Sequence, residues 1–209
     1  MTQYHNKNYL TFERLQAYLE QYKLIEGGSD SSILEIGKGA GFFENLVNSI
    51  GYHYVSIDYD NDTKPDIVSD VMKLSLPDAS FDYVYCCQVL EHLPFDKFEQ
   101  AISELCRVGR KKIILSIPDN RKFFRFTLHI PKIKFKKVIS LPLSGKDISI
   151  EDHGQHHWEI GSSRFKNCVD ENNILDILYK ASSVKAIDHY RFYERPYQHF
   201  FVLTREGKS

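Results

Sequence analysis

Cysteine is scarce and unpaired: Cys86, Cys87, Cys106 and Cys168 are the only four in 209 residues, and no two are spaced as CxxC. That spacing offers no zinc framework and no disulfide scaffold, so reduced thiols in a cytoplasmic protein without a bound metal are expected. Long apolar runs are missing as well. None approaches the roughly 18 residues that a membrane span needs, and the polar stretch Met1–Leu10 lacks the apolar core of a secretory signal. There is no excess of either charge, the formal net charge being -1, so any preference for a polyanion must be local. Internal repeats and low-complexity linkers are also absent. With 42% hydrophobic and 26% charged residues, the composition fits one globular domain over residues 1–209.

What is present has the rhythm of alternating strands and helices. Phe12, Leu15, Leu19 and Tyr22 recur at helical spacing, so an N-terminal helix is expected over about 11–26, capped by Thr11 and stopped by Gly27–Gly28. Short apolar runs at 33–36, up to Ile57–Asp58, at 67–69, 81–87 and 112–117 read as five strands. Helical patterns at Phe43–Ile50 and Phe98–Leu105 lie between some of them. Such alternation implies crossovers, hence a parallel sheet with helices on both faces. A last helix carries Ile174, Leu178 and Ala181. Two closing runs, 184–193 and 199–204, are joined closely enough to form an antiparallel hairpin.

Between the first strand and its helix stands Glu35-Ile36-Gly37-Lys38-Gly39-Ala40-Gly41. Glycine is needed where backbone approaches a ligand closely or turns through positive φ, and the helix start that follows presents free N–H groups. A dinucleotide turn would place its last glycine at Phe42, and no Gly-Lys-Ser/Thr follows, which disfavours an NAD oxidoreductase and a P-loop ATPase. Asp58 ends the second strand, where a carboxylate can accept bonds from both ribose hydroxyls. Asp70 and Val71 follow the third, suited to an adenine amino group and ring face. Together they outline an adenosine-shaped site with a small zwitterion at the glycine turn.

These stretches, ILEIGKGAG (33–41), SID (56–58), SDVMKLSLPDASFDYVYCCQVLEHL (69–93) and IILSIP (113–118), resemble the class I S-adenosylmethionine-dependent methyltransferases. The likeness is to the small-molecule group that includes ubiquinone and menaquinone biosynthesis enzymes. The resemblance implies a Rossmann-like α/β fold with a seven-stranded, mostly parallel sheet of order 3-2-1-4-5-7-6, strand 7 antiparallel. It implies S-adenosylmethionine as cofactor, its methionine end at Glu35, Gly37, Gly39 and Gly41. The ribose would lie at Asp58, adenine at Asp70 and Val71, and the reactive end near Gln88. Lys38 departs from the family's small or polar residue and is expected to point to solvent.

Methyl transfer requires alignment and exclusion of water, plus a base when the acceptor carries a proton to lose. His92 is the first candidate base, and His153 and His157, from the cluster Asp152–Glu159, are the next. That cluster is crowded on one loop and lacks regular metal-ligand spacing. From Asn120 to Lys146 there are eight basic residues and no acidic one, interleaved with Phe123, Phe124, Phe126 and Phe135. A lid-like insertion over about 119–160, shaped for an anionic or lipid-like small-molecule acceptor, is the expectation. An RNA or protein methyltransferase docking through the basic segment is the alternative, and a non-catalytic methyltransferase-fold scaffold the third reading.

Overall fold

β1 (Ser32–Ile36) and β4 (Phe81–Cys87) are buried at nearly every position, as strands covered on both faces must be. In the computed structural model they lie side by side in the middle of a seven-stranded sheet. The structure describes residues 9–130, 132, 135–143, 155–165, 169–181, 183–192, 194–195 and 197–206. Beside β1 and β4 run β2 (His53–Asp58), β3 (Ile67–Val68), β5 (Gly109–Pro118), β8 (Val184–Arg191) and β9 (Gln198–Arg205), in the order β3-β2-β1-β4-β5-β9-β8. Only β9 opposes its neighbours: it is antiparallel to both β5 and β8. With the separate hairpin strands β6 and β7 left out of the count, this is the expected order.

Helices cover both faces. α1 (Phe12–Lys23) and α2 (Phe42–Ile50) pack Ala17, Phe43 and Val47 against Ile33, Tyr85 and Phe200. α3 (Phe98–Val108) and α4 (Glu171–Lys180) pack Phe98, Ile102, Ile174 and Leu178 against Leu34, Val84 and Leu115. Local chemistry sets the ends. Thr11 accepts the Arg14 N–H to cap α1, and Asp170 and Asn173 form a reciprocal capping box on α4. α1 differs from its sequence reading in one respect. Its apolar stripe faces outward, with Phe12 71%, Leu15 42% and Leu19 43% exposed, and the helix buries Ala17 and Gln21 instead.

Part of the insertion is regular. β6 (Phe123–Ile130) and β7 (Phe135–Pro142) pair antiparallel as a sheet of their own. Its base is fixed at Asp119, whose buried carboxylate meets Arg121 at 2.6 Å, His199 at 3.0 Å and Arg191 at 3.2 Å. Burial alone would raise that carboxyl; His199 and the two guanidiniums outweigh it and hold it at about 2. Arg191 also stacks over the Phe123 ring at 4.6 Å.

Candidate functional site

A cavity of about 860 Å³ opens at the carboxyl ends of β1, β2, β3 and β4, where open α/β sheets place their ligands. Glu35, Gly37, Gly39, Asp58, Asp70, Val71, Gln88 and His92 all line it. Four successive strand ends thus converge on one space. Gly41 stands just outside as the N-cap of α2, at φ 70°. His157 is exposed and does not line the cavity; its backbone N–H donates to the Glu91 carbonyl at 2.8 Å. The neighbouring His156 lines it in its place. His153 lies outside the described residues.

The glycine turn is held from two sides. Gly37 has φ 84° and donates to the Ile57 carbonyl at 2.7 Å; a Cβ there would sit 2.3 Å from Val89 Cγ2. Glycine is required on both counts, backbone conformation and close approach. Gly39 (φ 54°) donates to Asp58 Oδ2 at 3.2 Å, while Asp58 Oδ1 accepts the Asp60 N–H at 2.9 Å. Lys38 does not reach into solvent. Its side chain is 12% exposed, pairs with Glu44 at 3.0 Å and donates to the Lys64 carbonyl at 2.8 Å, which lashes the turn to α2 and to the segment after β2.

Glu35 is buried and accepts the Tyr54 hydroxyl. Burial drives its carboxyl up to about 8, with the phenol opposing that rise. Asp70 Oδ1 accepts the Met72 N–H at 2.8 Å, and Val71 beside it is 6% exposed. Gln88 sits at φ 58°, its N–H on the Ser116 carbonyl at 2.9 Å. That turns the chain sharply off β4 and aims the next residues at the cavity.

Beyond Gln88 lies a group that sequence spacing could not assemble. Glu91 has no exposed surface and neither carboxylate oxygen has a hydrogen-bond partner. His156, 65 positions along by number, brings its Nε2 to 4.0 Å from Glu91 Oε1. His156 Nδ1 is held by Glu159 at 2.8 Å, and Glu159 also accepts from Tyr197 at 2.9 Å and Asn120 at 2.7 Å. His92 packs edge-on to His156 with centroids 4.8 Å apart, its Nδ1 3.3 Å from the Gln155 carbonyl. A carbonyl only accepts, so Nδ1 is the donor in that contact. Ligand-type atoms of Glu91, His92 and His156 all lie within 4.8 Å of one another, so this group could also hold a cation. Arg14 and Tyr18, one turn apart on α1, and Arg195 complete the wall. Their i, i+4 spacing was visible in the sequence; their direction was not.

Residues 34–117 match the methyltransferase domain family. An uncharacterized protein of Methanocaldococcus jannaschii is 26% identical over 149 residues, an alignment covering 68% of this chain and 62% of that protein's length. A S-adenosylmethionine-dependent methyltransferase from Archaeoglobus fulgidus superposes with a TM-score of 0.64 at 17% identity, covering 93% of this chain and 95% of its own. The 1,6-didemethyltoxoflavin N1-methyltransferase of Burkholderia thailandensis, solved with its acceptor and S-adenosylhomocysteine, superposes at 0.57 with 14% identity, covering 94% of this chain and 78% of its own. The superpositions show a shared fold, which here is the seven-stranded sheet with β9 antiparallel. Residues 34–117 are thus similar to a methyltransferase domain, and the chain has the fold of the S-adenosylmethionine-dependent methyltransferase structures it superposes on.

Proposed function

We propose that this chain binds S-adenosylmethionine in the cavity and transfers its methyl group to a small-molecule acceptor. The observation that carries the reading is the convergence of Glu35, Gly37, Gly39, Asp58, Asp70, Val71 and Gln88 on one space. The donor set suits an adenosine joined to a zwitterion. Asp58 and Asp70 supply carboxylates for ribose hydroxyls and for the adenine amino group, and Val71 supplies an apolar surface for the ring. The glycine turn and Glu35 form a narrow end for the amino-acid part.

Bound there, the cofactor supplies an activated methyl on a sulfonium. The protein's own work is to orient the acceptor and exclude water. Where the acceptor is a hydroxyl or a protonated amine, His92 takes its proton on Nε2, the carbonyl of Gln155 fixing the ring. Arg14 and Arg195 on the cavity wall favour an acceptor carrying negative charge. They take over the role the sequence had suggested for the basic insertion, since no described residue of β6 or β7 lines the cavity.

The test is calorimetric titration with S-adenosylmethionine and, in parallel, with NAD. One site of about micromolar affinity, near -8 kcal/mol, is expected for S-adenosylmethionine and no heat for NAD. Absence of S-adenosylmethionine binding at millimolar concentration would overturn the enzyme reading and leave a scaffold. RNA retained through purification and released by salt would move the acceptor to the nucleic-acid class.

A further inference from the structure

The β6–β7 hairpin presents one unusually apolar face. Residues directly opposite in an antiparallel pair share a face, and the register places Phe124 against Leu141, Phe126 against Ile139, Leu128 against Lys137 and Ile130 against Phe135. Seven of these eight side chains are hydrophobic, and each of the seven is 40–55% exposed. An isolated two-stranded ribbon is marginal in water unless a face is packed, and a contiguous exposed apolar patch marks a surface that something else covers.

Charge identifies what covers it. The segment from Asn120 to Lys146 carries eight basic residues and no acidic one, and Lys132 and Lys137 are exposed. A second copy packed face to face would set cations against cations with no carboxylate in the segment to answer them. A plane that is apolar inside and anionic at its surface answers both features together: apolar side chains enter among the lipid headgroups and the exposed lysines gain from the anionic surface. Arg125 of β6 reaches Glu194 at 3.8 Å, and the next residue, Arg195, lines the cavity, so the hairpin adjoins the cavity wall through residues 194–195.

We infer that the chain docks on an anionic lipid bilayer through the apolar, cation-rimmed face of β6–β7. The docking site is independent of methyl transfer and stands whether or not the cavity holds S-adenosylmethionine.

The test is flotation of the full chain with vesicles of phosphatidylcholine alone and of phosphatidylcholine mixed with phosphatidylserine. Binding to the anionic vesicles, at least about tenfold tighter than to the neutral ones and weakened by salt, is expected. Phe124→Ser with Phe126→Ser should abolish flotation, and Lys132→Glu with Lys137→Glu should remove the preference for the anionic vesicles. All four positions are exposed, so both variants should melt as the parent does. Equal binding to both vesicles, no binding, or flotation unchanged in both variants would overturn the inference. So would a dimer in sedimentation that the phenylalanine variant dissociates while vesicles bind nothing.

Discussion

The backbone N–H of Gly39 donates to Asp58 Oδ2 across 3.2 Å, so the turn after β1 and the end of β2 are one unit even without a ligand. Asp58→Asn keeps the size of the side chain but loses the charge. S-adenosylmethionine affinity should fall by about tenfold or more, since hydrogen bonds to a charged group contribute roughly 1.5–3 kcal/mol. Asp58→Ala should lose more. A calorimetric affinity equal to the parent's in both variants would remove Asp58 from the site.

Gly37 tests the turn from the other side. Gly37→Ala imposes a positive φ on an alanine and drives its Cβ to 2.3 Å from Val89 Cγ2. A loss above about 1 kcal/mol is expected from the backbone alone. Val89→Ala in the same chain should relieve the clash without relieving the φ strain, so the pair should unfold between Gly37→Ala and the parent. A double variant no more stable than Gly37→Ala would show that Val89 gives way at no cost.

Glu35 gives stability a pH dependence. Its carboxyl is raised by burial from 4.5 to about 8, so between those values the folded chain keeps a proton that the unfolded chain releases. Its contribution is complete below pH 4.5 and is lost as pH rises towards 8, at up to about 1.4 kcal/mol per pH unit. Glu35→Gln stays neutral, so a denaturant series across this range should show a flatter slope than the parent. Parallel slopes would place the titration elsewhere.

Trp158 is the single tryptophan in the chain, fully buried, its Nε1 donating to the Leu93 carbonyl at 2.9 Å and its ring edge-on to Phe95 and Phe98. Emission should be blue-shifted in the folded chain and move red on unfolding. Trp158→Ala should destabilise by about 3–5 kcal/mol. A solvent-like emission maximum in the folded state would contradict this packing.

Strand ends and the glycine turn were readable because they depend on local order. Apolar runs of strand length, glycines one residue off the dinucleotide spacing, and an acid after each strand are all properties of neighbours in sequence. β4 was bounded at Phe81 and Cys87 from its pattern and is found there. The misreadings came from residues whose direction is set by distant partners. Lys38 turns inward because Glu44 and the Lys64 carbonyl receive it. His156, not His157, lines the cavity, in a segment tied to the distant Glu91 carbonyl through the His157 N–H. The stripe of α1 followed helical periodicity, yet that periodicity does not say whether the stripe meets a core or the outside. In β6 the alternation of Phe124, Phe126, Leu128 and Ile130 with Arg125, Thr127 and His129 has the period of a strand, although the lid-like reading of this segment assigned it none.

The position of β9 has a consequence for how the molecule forms. It enters between β5 and β8, pairing Lys112 with Thr204 and Pro118 with Gln198, so an inner strand of the sheet is supplied from far along the chain. Pairings this remote in sequence form slowly, because a long loop must close before they gain anything. Until they do, β5 has an open edge of hydrogen-bonding groups beside Ile113, Leu115 and Ile117, a surface on which another chain can add a strand. Refolding yield should therefore fall as protein concentration rises, through aggregation that begins at β5 and not at the cofactor turn.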